Sequence, residues 1–234
     1  MDKIKLNEDN FKDIYLSKGG AGKCFITLDG NSVYKEFYEK NNKCFHPKED
    51  SDVFVFPKAL VYNHEEELTG YLMDYINGNT FNNLSSNFDL HVLIDNIKLI
   101  EQEILKHSLY FMTMIDLNYG NILIDENNRF RIIDTDGYYY RYDTSASDVY
   151  EHNMSLFSYT MIDGILFDSE DEQNKSYNRF KKKILNKERV DCYFGINKPS
   201  LFLENVLIEL SNRCNELNNV GDLRSNLSRI LKKS

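Results

Sequence analysis

The stretch from Met114 to Gly137, MIDLNYGNILIDENNRFRIIDTDG, carries the pattern from which the fold is predicted. Two apolar runs, Asn121–Ile124 and Phe130–Ile133, flank a polar segment that contains Asn127-Asn128. Asparagine tolerates the left-handed backbone conformation that a two-residue hairpin turn requires. The sequence therefore predicts a β-hairpin with Asn127-Asn128 as its turn.

This hairpin would bring polar side chains together at the ends of its strands. With a two-residue turn, Ile122 pairs with Ile133, and Asn121 lies opposite Asp134. Opposed residues have Cβ atoms about 4.5–5.5 Å apart, so the amide and the carboxylate could share one hard cation. Asp116 precedes the first strand in a loop, where its carboxylate could face whatever the cation holds.

Composition limits the classes of protein that this chain can represent. Its 234 residues, 41% of them apolar, suffice for a sizeable core, and its net charge of −9 argues against a general nucleic-acid binder. The four cysteines form no C-x-x-C pair, which argues against a zinc site or a disulfide framework. There is no signal-peptide core and no run of about 18 apolar residues. We therefore expect a cytoplasmic protein without nucleic-acid or membrane partners.

A second motif lies near the N-terminus. The segment from Ser17 to Cys24, SKGGAGKC, precedes a predicted strand over 32–38 that contains Lys35. Glycine allows a backbone to approach a phosphate closely and to point its N–H groups at the oxygens.

Together these segments resemble the catalytic core of the protein-kinase-like superfamily, in a small, divergent bacterial or phage-type form. In that family a D-x-x-x-x-N motif supplies a base and a magnesium ligand, and a later Asp supplies the main magnesium ligand. The corresponding residues here are Asp116, Asn121 and Asp134. The resemblance implies an α+β bilobal fold, with a small β-rich N-lobe over residues 1–76 and a truncated, mostly helical C-lobe over 77–234.

The resemblance also implies ATP and Mg²⁺ as cofactors and assigns the residues that bind them. Asp116 is the catalytic base, Asn121 and Asp134 are the metal ligands, and Lys35 is the catalytic lysine that pairs with the α- and β-phosphates.

Further nucleotide contacts follow from the same resemblance. The glycine-rich loop corresponds to Ser17, Gly19 and Gly22. The run from Tyr71 to Gly78 resembles the hinge, with Met73 behind adenine and the Asp74 C=O and Ile76 N–H bonded to the base.

The chain departs from the family pattern at several positions. Kinases carry a helix whose Glu clamps the lysine, but residues 39–56 show poor helical periodicity and offer only Glu39 and Glu49 for this role. Asn118 stands where a phosphate-binding Lys is usual. Asp136 is similar to the second acidic residue of aminoglycoside- and choline-kinase-like enzymes, and it is a candidate for a further metal ligand.

Helical periodicity dominates the rest of the sequence. We predict a helix over 80–110, with a buried stripe of Leu93, Ile97, Ile100 and Ile104, and another over about 149–167. Further helices are predicted over about 172–187, 200–216 and 222–232.

Three functions remain open on these grounds. The first is a phosphotransferase resembling a serine/threonine protein kinase, which moves the γ-phosphoryl group of ATP to a hydroxyl acceptor. The second is a small-molecule kinase of aminoglycoside- or choline-kinase type, favoured by the short segment after Asp134. The third is a nucleotide-binding pseudokinase or scaffold, favoured by the weak clamp glutamate and by the missing Lys at position 118. A pure scaffold would have no need to retain Lys35, Asp116, Asn121 and Asp134.

Overall fold

The computed structural model describes residues 1–5, 14–39, 44–166 and 217–224, and in these ranges the protein is α+β. The helices predicted over 172–187 and 200–216 lie outside the described residues, as does most of the one over 222–232, of which residues 222–224 are described and helical. None of the helices in the described ranges combines the length and the apolar character needed to cross a membrane.

The chain divides into two compact units. Unit 1 contains the described residues of 1–78 and 131–139, and unit 2 contains those of 79–130 and 140–234. Residues 131–139, which the sequence analysis places in the C-lobe, thus belong to unit 1. Val55 N–H donates to the Ile132 C=O, and Ile132 N–H donates to the Val53 C=O, both at 2.8 Å. These backbone bonds attach the segment to unit 1.

A six-stranded sheet forms most of unit 1. Its strand order is β1-β5-β6-β4-β3-β2, with β1 and β5 parallel and the other neighbours antiparallel. The strands are β1 Asp2–Lys5, β2 Ile14–Lys18, β3 Gly22–Ile26, β4 Ser32–Phe37, β5 Ala59–Tyr62 and β6 Leu68–Asp74. Lys35 pairs with Cys24 on one side and with Tyr71 on the other, so it lies in the interior of the sheet.

Two glycines allow these strands to approach each other. A Cβ added at Gly22 would lie 2.2 Å from the Glu36 carbonyl oxygen, and one at Gly70 would lie 2.0 Å from the Lys35 carbonyl oxygen. Backbone atoms cannot yield as a flexible side chain can, so both positions require glycine. Gly22 therefore has a structural role that is independent of any phosphate.

The core of unit 1 packs on one face of this sheet. Its members are apolar side chains from β4 and β6 together with one from the segment that pairs with residues 131–136: Val33, Phe37, Val55, Leu68, Tyr71 and Met73. Burying such side chains is the main favourable contribution to folding.

Unit 2 contains the two long helices, α1 Leu90–Ser108 and α2 Ala146–Leu166. The first is shorter than the predicted range of 80–110 because Asp89 caps it: its side chain accepts from the N–H groups of His91 and Val92. The predicted stripe of Leu93, Ile97, Ile100 and Ile104 is buried, which confirms that face of the helix as core. The second helix begins three residues before its predicted start.

Short strands complete the described fold. They are β7 Gly78–Thr80, β8 Met112–Thr113, β9 Ile122–Asp125, β10 Phe130–Ile132 and β11 Tyr139–Tyr140. Their sheet orders are β10-β9-β7 and β11-β8.

The predicted hairpin forms, but its predicted turn is wrong. Asp125 N–H donates to the Arg129 C=O at 2.9 Å, which closes a three-residue loop over 126–128. Within this loop only Asn128 takes the left-handed conformation, with φ 59°, and its N–H donates to the Asp125 C=O. Since β9 begins at Ile122 and β10 ends at Ile132, neither Asn121 nor Asp134 belongs to the ladder. The predicted pairing of these two residues therefore loses its basis.

Candidate active site

Lys35 is the centre of a charged cluster in unit 1. Its side chain extends from β4 and is only 6% exposed. The ammonium donates to Oδ1 of Asp134 and, at 2.7 Å, to Oδ1 of Asp136. Lys35 and Asp134, which the sequence pattern had assigned from motifs 99 residues apart, are therefore in direct contact.

The second carboxylate, Asp136, is held more firmly than the first. It is 8% exposed, and its Oδ1 also accepts a hydrogen bond of 2.7 Å from the hydroxyl of the buried Tyr71. The same ring lies 5.7 Å from the Lys35 ammonium, within the range of a cation–π contact. Sequence reasoning had placed Tyr71 only at the start of the hinge run, because its distance in the chain from Asp136 hides the contact.

Backbone contacts fix the segment that carries both carboxylates. The Thr135 hydroxyl donates to the Val55 C=O at 3.0 Å, and Phe45 N–H donates to the Asp136 C=O at 2.8 Å. Thr135 and Asp136 are thereby buried, while the side chain of Asp134 remains 43% exposed. Asp134 has φ 62°, a conformation that Asp adopts more readily than most residues.

The pKa values in the cluster follow from burial and charge. Burial alone would lower the pKa of Lys35, but the Asp136 and Asp134 carboxylates more than compensate and raise it above its ordinary value. Lys35 therefore stays charged at neutral pH. Burial and then the Asp136 carboxylate raise the pKa of Tyr71, so its hydroxyl stays protonated and remains a donor.

The predicted glycine-rich loop is a tight turn between β2 and β3. Gly19 N–H donates to the Gly22 C=O at 2.9 Å. A Cβ at Gly19 would meet nothing within 4 Å, which distinguishes this open position from the crowded Gly22. Ser17 is exposed and pairs with Cys24, whose other neighbour in the sheet is Lys35.

The predicted hinge residues lie at the end of β6. Met73 is 7% exposed and belongs to the core of unit 1, and Ile76 packs partly buried against the same cluster. Tyr75 N–H donates to the Asn31 C=O at 3.0 Å. Because hydrogen-bonded and non-bonded pairs alternate along antiparallel strands, the Asp74 peptide groups point away from β4. This orientation is compatible with the predicted backbone contacts to a base.

The predicted base, Asp116, lies in an exposed loop of unit 2. Its backbone has φ 54°, and its C=O accepts from the side-chain amides of Asn121, at 3.0 Å, and Asn118, at 3.3 Å. The Asn118 Oδ1 accepts in turn from Gly120 N–H at 2.9 Å. Asn121 closes the short 3-10 turn Tyr119–Asn121. Asp116 and Asn121 are thus joined through the Asp116 backbone, while the Asp116 carboxylate faces solvent.

A buried amide and a buried hydroxyl of α2 anchor the start of this loop. Asn153 is fully buried, its Oδ1 accepts from Met114 N–H at 2.8 Å, and its Nδ2 donates to the Met112 C=O and to the Ser108 hydroxyl. The Thr160 hydroxyl donates to the Leu117 C=O at 3.1 Å. These bonds satisfy backbone groups that would otherwise be buried without partners.

The structure thus gathers the predicted site residues in two local groups. Lys35 and Asp134 meet in unit 1, together with Asp136, and Asp116 meets Asn121 in unit 2. The two candidates for a lysine clamp, Glu39 and Glu49, are both exposed, whereas the Lys35 ammonium is buried against Asp134 and Asp136. The carboxylates that contact Lys35 therefore lie in a segment that sequence reasoning had considered only for metal binding.

The described ranges contain no group of three or more His, Cys, Asp or Glu side chains that could hold a metal ion by themselves. Mg²⁺ typically binds through one or two carboxylates plus substrate phosphates, so its sites need no such cage.

No protein-family model matches this chain, and no curated protein matches it. The functional argument therefore depends on the side chains described above.

Proposed function

We propose that this protein is an ATP- and Mg²⁺-dependent phosphotransferase with a bilobal protein-kinase-like fold. The observation that carries the proposal is the contact between Lys35 and Asp134. The resemblance assigns Lys35 to the phosphates and Asp134 to the metal, from motifs far apart in the sequence. Phosphoryl transfer requires these two side chains to lie close together, and their contact supports the proposal.

Lys35 would orient the nucleotide phosphates. An ammonium has three N–H donors, and Asp134 and Asp136 use two of them, which leaves a third for a phosphate oxygen. The turn from Gly19 to Gly22 joins β2 to β3, the neighbour of β4, and the open positions of Gly19 and Gly20 would admit a close phosphate contact. The Asp74 C=O and Ile76 N–H would bind the adenine.

The candidate metal ligands have the oxygen donors that Mg²⁺ prefers. Asp134 offers a partly exposed carboxylate, and Asn121 turns its NH₂ group toward the Asp116 C=O, which leaves its amide oxygen for the cation. Bound Mg²⁺ would neutralise the charge that develops on the phosphates during transfer. The exposed Asp116 carboxylate would orient the acceptor hydroxyl and accept its proton.

Transfer of label from [γ-³²P]ATP tests the proposal. The protein is incubated with the nucleotide and Mg²⁺, alone and with a generic protein substrate. Asp134→Ala should abolish Mg²⁺-dependent ATP binding and transfer, whereas Asp116→Asn should spare binding and lose transfer. Asp143→Asn is the matched control, because Asp143 is an exposed aspartate of the same unit as Asp116. Normal transfer by both Asp134→Ala and Asp116→Asn would refute the proposal.

A small-molecule acceptor is the second candidate, and the length of one segment favours it. Only residues 137–145 separate Asp136 from α2, and β11 occupies two of them. Protein kinases use a long segment at this position to bind a peptide. The same assay with small hydroxyl compounds, such as aminoglycosides and choline, separates the two acceptor classes. ATP binding without transfer to any acceptor would instead indicate a pseudokinase or scaffold.

The free thiols of Cys24 and Cys44 accord with the reducing cytoplasm, which is where we propose that the protein acts.

A further inference from the structure

We infer that Asp136, fixed by Tyr71, is the positioning residue that anchors Lys35, in the role that the kinase resemblance gives to a helix glutamate. This inference rests on the proposed function, because it concerns the lysine that would hold the phosphates. It assigns a role to two residues: Asp136, which had been considered only as a metal ligand, and Tyr71, which had been considered only as the start of the hinge run.

The geometry of Asp136 suits an anchor. One carboxylate oxygen receives both the Lys35 ammonium and the Tyr71 hydroxyl, each at 2.7 Å. Charge-assisted hydrogen bonds of this length are the strong ones in proteins. Asp136 and Tyr71 are both buried, so water competes little for either bond. The buried Asp136 carboxylate therefore fixes the position of the Lys35 ammonium. A helix that carries a glutamate is not required for this purpose.

The same geometry argues against Asp136 as a metal ligand. A cation at its Oδ1 would displace two donors and would lie beside the ammonium of Lys35, which repels it. Asp134 differs, because its side chain is 43% exposed and can present an oxygen to a metal from its open side. The two aspartates of the Asp134-Thr135-Asp136 motif thus have different roles: Asp134 binds the metal and Asp136 binds Lys35.

Tyr71 contributes to this anchor in two ways. Its hydroxyl orients the Asp136 carboxylate, and its ring lies under the ammonium at 5.7 Å. Lys35 and Tyr71 are also register partners on β4 and β6, so the sheet sets their separation. The anchor is consequently built into the sheet of unit 1 and should persist without nucleotide.

Competitive amine acylation of the nucleotide-free protein tests the anchor directly. The full chain is treated at pH 8 with a trace amount of N-hydroxysuccinimidyl acetate, and peptide mapping gives the rate for each lysine. Lys58, an exposed lysine in an ion pair with Asp74, is the internal reference. Asp136→Asn should accelerate Lys35 acylation by about tenfold relative to Lys58, as expected for the loss of a charge-assisted hydrogen bond.

Tyr71→Phe provides a second variant that keeps the packed ring and removes only the hydroxyl. It should accelerate Lys35 acylation by about threefold, the effect of losing one ordinary hydrogen bond. Asp29→Asn, at an exposed turn of the same unit, is the matched control and should leave the rate unchanged. An unchanged Lys35 rate in folded Asp136→Asn overturns the inference. If that variant does not fold, an unchanged rate in Tyr71→Phe overturns it.

Steady-state kinetics separate an anchor from a metal ligand. Asp136→Asn should raise the KM for ATP and leave the Mg²⁺ concentration for half-maximal activity unchanged, whereas Asp134→Asn should raise that Mg²⁺ requirement. A rise in the Mg²⁺ requirement of Asp136→Asn, without faster Lys35 acylation, would identify Asp136 as a metal ligand and overturn the inference. Failure of the wild-type chain to bind or use ATP would instead refute the proposed function, and the acylation rates would still decide whether Asp136 anchors Lys35.

Discussion

The Lys35 cluster of unit 1 and the loop of unit 2 hold their candidate aspartates in different ways. Asp134 is held through its carboxylate by an ammonium, whereas Asp116 is held through its backbone C=O by the neutral amides of Asn121 and Asn118. The first arrangement pairs the carboxylate with a cationic neighbour, although the Asp134 side chain stays 43% exposed. The second fixes the backbone and leaves the carboxylate exposed, which is what an incoming acceptor would require.

The two aspartates nevertheless share one backbone feature. Asp116 has φ 54° and Asp134 has φ 62°, both in the left-handed region that residues other than glycine seldom occupy. Such conformations cost about 1–3 kcal/mol and persist only where surrounding bonds enforce them. In unit 1 these bonds come from Thr135 and Asp136, and in unit 2 they come from Asn121 and Asn118.

The largest expected effect concerns Cys44, which reports on the charged cluster. Burial and then the Asp136 carboxylate raise the pKa of this thiol to about 12, against 9.0 for a free one. Only the thiolate reacts with iodoacetamide, so at pH 8 alkylation of Cys44 in the native protein should be at least about a hundredfold slower than in urea. Asp136→Asn should accelerate the native reaction. Equal native and urea rates for Cys44, measured by peptide mapping, would contradict the burial of this thiol, and an unchanged native rate in Asp136→Asn would contradict the contribution of the carboxylate.

Removing the ammonium should destabilise unit 1 next most strongly. Lys35→Met leaves the buried Asp136 carboxylate without its charged partner, and the free energy of unfolding should fall by about 3 kcal/mol. The double variant Lys35→Met/Asp136→Asn should recover part of this loss, because no buried charge then remains. Urea denaturation followed by tyrosine fluorescence measures both values. A double variant less stable than the single one would show that the charge pair is not the cause.

In unit 2 the uncharged side chain of Asn153 anchors the loop. Its removal is the counterpart of the Lys35→Met experiment in unit 1. Asn153→Ala leaves Met114 N–H and the Met112 C=O buried without their partner, so we expect a loss of about 2 kcal/mol. Asn153→Asp should also destabilise, because a carboxylate can accept from Met114 but cannot donate to Met112. The control is Asn121→Ala, where the lost bond is exposed to water and should cost less than about 1 kcal/mol. Similar unfolding free energies for the two alanine variants would contradict the contrast.

Substitutions at the two glycines of the predicted phosphate loop should distinguish a glycine required for folding from one required for nucleotide binding. Gly22→Ala places a methyl group against the Glu36 carbonyl and should cost about 1–3 kcal/mol. Gly19→Ala enters open space, so thermal unfolding should hardly change, while ATP binding weakens if the turn approaches phosphate. Calorimetry and nucleotide titration of both variants give the result, and equal stability losses would show that Gly19 is also structural.

The smallest effect should come from the exposed ion pair of unit 1. Lys58 and Asp74 lie 2.5 Å apart, with side chains 64% and 42% exposed. Pairs this open contribute little, so Lys58→Ala should change the free energy of unfolding by less than about 1 kcal/mol. Asp74→Asn should also leave ATP binding unchanged, because only the Asp74 backbone is proposed to contact the base. A large loss of stability in Lys58→Ala, or of ATP binding in Asp74→Asn, would show that this exposed pair matters as much as the buried Lys35 cluster.

Local patterns predicted much of the secondary structure in the described ranges. The apolar stripe of α1, the hairpin of β9 and β10, and the strand that carries Lys35 each depend on residues close in sequence. The hairpin turn was predicted one residue too short, since an Asn-Asn pair suits both a two-residue turn and a three-residue loop. This difference of one residue in loop length shifts the strand register, so the predicted pairing of Asn121 with Asp134 does not hold.

Contacts between distant segments could not be predicted from these patterns. Nothing in the sequence near Asp136 indicates that its carboxylate meets Tyr71, 65 residues earlier, or that residues 131–139 pair with the segment around Val55. The clamp for Lys35 was sought in Glu39 and Glu49 because the family places a glutamate there, but both are exposed in this chain.

The sequence by itself determined which residue types are available for phosphate, metal and proton chemistry, because these depend on side-chain identity and short spacing. It also determined where helices and strands form, because periodicity and capping act within a few residues. Only the tertiary structure decided which carboxylate holds Lys35. That choice depends on the register of β4 against β6 and on the burial of residues 134–136, and both arise from packing between segments far apart in the chain.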